Sequence, residues 1–411
     1  LFRSIFFKNT AFFQTSFLLP RSVTLSQLRD AVDTLLEKRF RVLLSTIDAK
    51  HGILRENESS TSLPLYVVSG ETLDDVHTQV CHDAETRVDM ACQLYYAEDG
   101  KKNVYLIVNA HHGVADGTLI TAFARSLYAV LNEKPLPEMP DFVFYDPTKR
   151  PELLEFPASV YSSNKESVMK WCEECAKSIP SPSVNPLKSR DVSDRFYTRQ
   201  RVINKEATSR SVSFAKCCGE LYKENGCIHG MLLHAYLRAL IFTDGLPPSG
   251  TIAIDTIVNM RRYLKSKKDT QPSIFFSSFP TAFSVEKLVQ GELNPAFIQH
   301  SVTEGLNNGL PLALLFLDPS RAHPTLKENQ LFLEVSNLGM HPKDCFPRQL
   351  VSQIAYTGHP NAITVVVWTD LEGCFHLCCS AFSGCIDEVR MDKFLDRSEE
   401  RRVGKECRSR W

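Results

Sequence analysis

The sequence predicts an α+β protein built as two lobes. Strand-like and helix-like stretches are interleaved in both halves without a regular strand–helix–strand alternation, which points to α+β layers. The 411 residues exceed the usual size of one domain. A proline-crowded stretch divides the chain, with Pro135, Pro137, Pro140, Pro147, Pro151 and Pro157 followed by Pro180 and Pro182.

In order, a strand is expected over Ala11–Pro20. Leu25, Leu28, Ala31, Val32, Leu35 and Leu36 then recur at helical spacing. Phe40–Ile47 reads as a strand, as do Leu63–Val68 and Cys92–Tyr96, with a helix over Leu73–Cys81 between the last two. Val104–Val108 is a short apolar run of the kind that makes a fully buried strand. Leu119, Ile120, Phe123, Leu127, Val130 and Leu131 trace one helix face, with Thr118 placed to cap it. A short helix near Ser167–Lys177 interrupts the crossover. The second half begins with a strand at Phe196–Ile203 and continues with helices near Thr208–Glu224 and His229–Phe242. A strand follows over Ile252–Val258, then a helix near Asn294–Asn307. Strands at Leu331–Val335, Ile363–Trp368 and Phe375–Phe382 complete the reading.

Between the buried strand and the helix lies His111-His112-Gly113-Val114-Ala115-Asp116-Gly117. A polar loop held by two rigid elements is a good mount for catalytic groups. Acyl transfer to a hydroxyl or amine needs a base that is neutral near pH 7, and imidazole suits it best. A carboxylate four residues on can orient the loop or pair with a distant cation, and glycine after it lets the backbone turn tightly. The alternative is a helix-capping aspartate beside two incidental histidines. At average residue frequencies, two His, an Asp and a Gly at this spacing arise by chance in about one such chain per thousand.

The heptad and its surroundings resemble the superfamily of condensation domains, alcohol acetyltransferases, wax-ester synthases and mycobacterial phthiocerol dimycocerosyl transferase. Chloramphenicol acetyltransferase and carnitine acyltransferases are more distant relatives. The resemblance spans about Thr10 to Asp396. It also rests on the helix leading into Phe40-Arg41-Val42, where the family's His-Pro-x-Leu-Arg phrase is missing, and on Tyr222–His229, similar to a turn between two helices of the second lobe. It implies two chloramphenicol-acetyltransferase-like lobes, each a sheet with helices on one side, packed as a pseudo-dimer around an active-site tunnel. Residues 1–150 would form the N-terminal lobe, 151–195 the crossover and 196–396 the C-terminal lobe.

By the same resemblance His112 is the general base and His111 orders the loop. Asp116, followed by Gly117, would pair with an arginine of the other lobe. Arg261 is the proposed partner, because Val258-Asn259-Met260-Arg261 stands where the family commonly has Val-Asp-Leu-Arg. Ser336-Asn337-Leu338-Gly339 resembles a Ser-Asn-x-Gly phrase whose donors could hold a developing oxyanion; the same residues after a strand are also ordinary turn chemistry. The implied reaction moves an acyl group from acyl-CoA, as co-substrate, to a hydroxyl or amine of a small molecule, with no bound cofactor and no metal. The alternatives are a condensation domain fed by acyl-phosphopantetheine on a carrier protein, or an inactive relative acting as a binding module.

Other features narrow the class. Forty-seven Lys and Arg against 48 Asp and Glu leave a net charge of −1, which gives no electrostatic case for nucleic acid. The thirteen cysteines are scattered and odd in number, which suits free thiols in a reducing compartment, and the protein is expected to be cytoplasmic and monomeric. Cys172 and Cys175 share a predicted helix and read as structural. Cys374, His376, Cys378 and Cys379 lie on an alternating strand and do not read as a metal cluster. His229 and His234 read as packing residues. No apolar run approaches the roughly 20 residues of a membrane span. There is no P-loop, dinucleotide fingerprint or nucleophile elbow. The chain opens without Met and is expected to begin inside the protein. From Arg397 to Trp411 the composition breaks abruptly, and vector-derived sequence is favoured over a native solvated tail.

Overall fold

A computed structural model describes residues 12–48, 53–55, 57, 59–86, 90–144, 147–157, 160, 165–178, 196–222, 227–243, 249–266, 270–317, 332–346, 349–353, 362–382 and 386–402. Ala11, Pro180–Ser183, Lys223–Gly226, Leu331 and residues 403–411, all used in the sequence reading, lie outside them.

The chain runs β1 (Phe12–Leu19), α1 (Leu25–Lys38), β2 (Thr46–Asp48), β3 (Ile53–Arg55), β4 (Leu65–Ser69), α2 (Leu73–Thr86), β5 (Cys92–Glu98), β6 (Val104–His111), α3 (Gly117–Leu131) and β7 (Phe142–Val143). It continues with α4 (Lys165–Ser178), β8 (Phe196–Ile203), α5 (Lys205–Tyr222), α6 (Ile228–Phe242), β9 (Thr251–Asn259), β10 (Gln271–Pro272), β11 (Phe276–Ser284), α7 (Val285–Gln290), α8 (Pro295–Asn307) and α9 (Leu310–Phe316). β12 (Phe332–Met340), β13 (Gln349–Gln353), β14 (Ala362–Thr369), β15 (Phe375–Phe382) and α10 (Glu388–Arg402) complete it.

Two compact units result. The first gathers Leu1–Leu154 with two later segments, Arg261–Phe276 and Met340–Gly358; the second holds Glu155–Met260, Ser277–Gly339 and His359–Trp411. The first is built on a five-stranded sheet ordered β13-β1-β6-β5-β4. β1 and β6 pair antiparallel from Phe12↔His111 to Leu19↔Val104, which places the heptad at a strand end in mid-sheet. On one face Phe13, Phe17, Leu94, Leu106 and Val108 pack with Leu28, Val32 and Leu35 of α1 and Leu119, Phe123 and Leu127 of α3. On the other, Tyr95, Ala97 and Ile107 pack with Val76 and Val80 of α2. Helices on one side only were expected; α2 covers the second face, which is why β6 reads as a continuous apolar run and not an alternation.

That second face also carries a buried polar layer. Asn109 Nδ2 donates to Gln93 Oε1 at 3.1 Å, Tyr95 Oη donates to the same oxygen at 3.0 Å, and Ser16 Oγ lies 2.6 Å from His77 Nε2 of α2. Gln14, in register with Asn109, is fully buried beside them.

α1 begins where sequence patterning put it. Thr24 caps it reciprocally with Gln27, the oxygen of each side chain accepting from the other's backbone N–H. The strand expected over Phe40–Ile47 is instead a 3₁₀ turn, Arg41–Leu44, followed by the short β2. Phe40, Val42, Leu43 and Leu44 are all buried, so this run has no solvent face for strand alternation to present.

The second unit is a six-stranded sheet ordered β11-β9-β12-β14-β15-β8, with β9 and β12 parallel. Its helices pack closely. A Cβ added at Gly230 of α6 would stand 2.3 Å from the Pro295 carbonyl oxygen of α8, and the Gly230 N–H donates to Gln299 Oε1 at 2.9 Å. Gly230→Ala should therefore overpack this contact and destabilise by about 1–3 kcal/mol, seen as a lower melting temperature. An unchanged melt would mean that α6 and α8 separate freely. α10 buries Phe394 and Leu395, and Asp392 and Asp396 receive Arg201 of β8 at 2.9 and 3.2 Å. This helix reaches Arg402, into the segment set apart on composition.

No helix among the described residues is long and apolar enough to cross a membrane.

Candidate active site

β6 extends to His111, further than its apolar run suggests, so the connection to α3 is only His112–Asp116. The His111 carbonyl accepts from the N–H groups of Val114 and Ala115, at 2.9 and 3.3 Å, which closes a tight turn. The His111 ring is buried, and its Nδ1 accepts the Gly113 N–H at 2.9 Å. That bond leaves the His111 proton on Nε2.

The cap of α3 is Asp116 and not Thr118. Its Oδ1 accepts the N–H groups of Thr118 and Leu119 at 3.0 and 3.1 Å, using two of the donors a helix start leaves free. Thr118 sits inside the helix and supplies one of those donors. Gly117 is the first helical residue and is not among the glycines with positive φ, so the turn does not depend on left-handed backbone there.

The other carboxylate oxygen of Asp116 faces Arg261. Arg261 Nη1 donates to Asp116 Oδ2 at 2.6 Å, and the Phe275 N–H donates to the same oxygen at 2.9 Å. Both partners of the pair are under a tenth exposed. Arg261 Nη2 also donates to the carbonyls of Pro272 and Ser273, at 2.6 and 3.3 Å, and the guanidinium lies 5.7 Å from the Phe142 ring centre. The pair was expected to join two lobes. It lies within the first unit, because the segment Arg261–Phe276 belongs there although it follows β9 in sequence. Capping aspartate and arginine partner, offered as alternatives, are one residue using both its oxygens.

His112 is half-buried beside two aromatic rings. The Phe13 ring centre is 4.4 Å away at 31°, and that of Phe276 is 5.4 Å away at 55°. Burial pulls its pKa down to about 4, against the opposing pull of the Asp116 charge and the Ala115 backbone. The imidazole is thus neutral at pH 7 and able to accept a proton.

His111, His112, Asp116, Gly117 and Arg261 therefore meet in the first unit. Ser336 and Asn337 belong to the second. There β12 runs on to Met340 without stopping at Val335; Ser336 is half-buried, and exposed Asn337 accepts the Gly339 N–H at 3.0 Å, with Gly339 at φ +77°.

Of the remaining thiols and histidines, Cys172 is buried and its thiol is pushed up to about 12, with Cys175 at about 11, so neither is a ready nucleophile. His229 Nε2 is buried, and burial lowers its pKa to about 4. Cys378 and Cys379 are buried on β15, and His376 stacks on Trp368 and bonds Asp370 at 2.8 Å. Asp370, Glu372 and Cys374 gather at the β14–β15 turn, where the other Asp370 oxygen accepts the Cys374 N–H at 2.8 Å.

Sequence reasoning missed Phe13 and Phe276, since an aromatic in a strand pattern reads as core. It also missed Glu334, in register with Asp255, whose carboxyl is raised to about 7 by burial and by the Asp255 charge.

No protein-family model matches the sequence, and no curated protein matches it by sequence. Solved structures match along nearly the whole chain. The first condensation domain of the calcium-dependent antibiotic synthetase, in complex with a substrate analogue, has a TM-score of 0.68 at 14% identity, covering 96% of this chain and 92% of that one. The TRI3 trichothecene 15-O-acetyltransferase from Fusarium sporotrichioides has 0.67 at 12%, covering 97% and 93%. The epimerization domain from the third module of tyrocidine synthetase B has 0.63 at 12%, covering 96% and 92%. The α+β fold of these condensation, epimerization and acetyltransferase domains is thus the fold of this chain.

Proposed function

We propose that this protein is an acyltransferase that moves an acyl group from an acyl-CoA thioester to a hydroxyl or amine of a small molecule, with His112 as general base. The observation that carries the reading is a neutral imidazole at a strand end, in a loop whose aspartate is tied at both oxygens. The shared fold with an O-acetyltransferase supports it.

In the proposed reaction His112 takes the proton from the acceptor heteroatom as that atom bonds to the thioester carbonyl carbon. The C–S bond then breaks and the leaving thiolate takes its proton from the imidazolium, so atoms and charge balance without a resident cofactor. No acyl-enzyme is needed, in keeping with buried thiols such as Cys92 and Cys345, each pushed up to about 12. Rapid mixing with acyl-CoA alone should then release no burst of CoA and leave no acylated cysteine by intact mass. Stoichiometric cysteine labelling would replace direct attack with a covalent route.

The condensation domains among the similar structures favour a second donor, an acyl-phosphopantetheine on a carrier protein. Competing acyl-CoA against acyl-carrier protein for one acceptor separates the two. Transfer from the carrier alone would reassign the donor while leaving the role of His112 intact.

A further inference from the structure

We infer that Phe13 and Phe276 are positioning residues that clamp the His112 imidazole from two elements, fixing its plane and keeping water from its faces. The inference rests on the reading of His112 as the base. The jaws differ in origin. Phe13 stands on β1, in register with Ala110 and so two residues short of His112 along the neighbouring strand. Its ring approaches that of His112 to 4.4 Å between centres. Phe276 opens β11, far along the sequence, and closes to 5.4 Å.

What sets the second jaw is the carboxylate of Asp116. The residue before Phe276 donates its N–H to Asp116 Oδ2, and Arg261, bound to that same oxygen, grips the carbonyls of Pro272 and Ser273 just upstream. One oxygen thereby ties the 272–276 segment to the histidine loop. Asp116 acts on His112 through Phe276 as well as through the backbone turn.

Two opposed effects follow from aromatic walls. They exclude water, which disfavours imidazolium, and their π faces attract a cation, worth about 0.5–2 kcal/mol where geometry allows. The lowered pKa of His112 says that exclusion of water prevails in the free protein. Among the described residues, the charge that acts on the ring is that of Asp116, which is paired with Arg261. From β1 the flanking residues are the uncharged Phe12, Gln14 and Thr15, and from the 272–276 segment they are Pro272, Ser273, Ile274 and Phe275. With the ion pair left intact, changes at Phe13 or Phe276 therefore report on the walls and not on lost charge.

The test is NMR titration of isotopically labelled histidine in the full chain, His112 being assigned by the signal lost in His112→Gln. It is read beside the pH profile of acyl transfer. Phe13→Ser and Phe276→Ser should each raise the His112 midpoint by at least about one unit towards the ordinary value near 6.5. The acid limb of kcat should move upward with it, and kcat at pH 8 should fall at least tenfold with KM little changed. Phe13→Leu and Phe276→Leu should keep the low midpoint, being apolar, yet lose part of kcat through a freer ring. Phe13 is buried, so if its serine variant does not fold, half-buried Phe276 and the leucine pair decide the matter alone. An unmoved midpoint in folded Phe276→Ser, with kcat at the wild-type level in Phe276→Leu, overturns the clamp. The base assignment fails separately, if His112→Ala keeps its activity while the midpoints shift as stated.

Discussion

His112→Ala should lower acyl transfer by about 10²–10⁴-fold, the usual worth of a positioned general base, and leave the melting temperature close to that of the parent. The ring is an end-of-strand group whose backbone turn is held by other residues: the His111 carbonyl, the His111 ring and Asp116. Removing it leaves in place the Asp116 cap of α3 and the Asp116–Arg261 pair, which other residues form. Near-parental turnover in a folded variant would remove His112 as the base. His111→Ala should behave otherwise. The ring is buried and accepts the Gly113 N–H, so its loss should lower the melting temperature together with the rate. Rate loss without a change in melting would shift the base assignment to His111.

Asp116→Asn should have the largest effect on stability, about 3–5 kcal/mol, the range found when one partner of a buried ion pair is removed. The carboxylate accepts four hydrogen bonds, two from the start of α3 and one each from Arg261 and Phe275. An asparagine side chain turns an NH₂ group towards one pair of those donors and leaves the Arg261 charge without its counter-ion. The partner's own bonds to Pro272 and Ser273 keep the guanidinium in place, so it cannot swing to water without uncapping those carbonyls. A thermal melt reads the loss. The double variant Asp116→Asn/Arg261→Gln should cost less than the sum of its parts, since the stranded charge is gone. Strict additivity, or an Asp116→Asn protein that melts with the parent, would mean that the pair is not coupled in solution.

The histidine loop was legible in the sequence because its polar residues sit between two apolar segments of different period. β6 and α3 were recognisable from five and six apolar residues respectively, and the loop was what remained between them. The Arg261 partner came only through resemblance, since nothing local joins residues 145 apart. The aromatic walls were not legible at all. Phe13 lies in a strand that also holds Phe12, Phe17, Leu18 and Leu19, and apolar residues in such a run read as packing. β11 was missed for a related reason: in Phe-Ser-Ser-Phe-Pro-Thr-Ala-Phe-Ser the buried Phe279 and Phe283 share a strand face with the polar Thr281 between them, so the apolar alternation is broken. The turn at Arg41–Leu44 misled in the opposite sense, an apolar run buried on every side and so free of any period.

The composition of the first unit also bears on how the protein is made. Its sheet has β13 as an edge strand beside β1, and the counter-ion of Asp116 is Arg261. A ribosome delivers β1, α1, β6 and α3 early, yet it must add the β8, α5, α6 and β9 segments before Arg261 emerges, and must reach Gln353 before β1 is covered. For that interval the nascent chain carries an open strand edge, a template for pairing with other chains. It also carries an aspartate without its arginine. Domains commonly fold in the order of their synthesis, but here the N-terminal unit closes only after most of the other has been translated. A fragment ending at Leu154 should therefore aggregate in place of folding, and translation stalled before Gln353 should present the same exposed edge to chaperones.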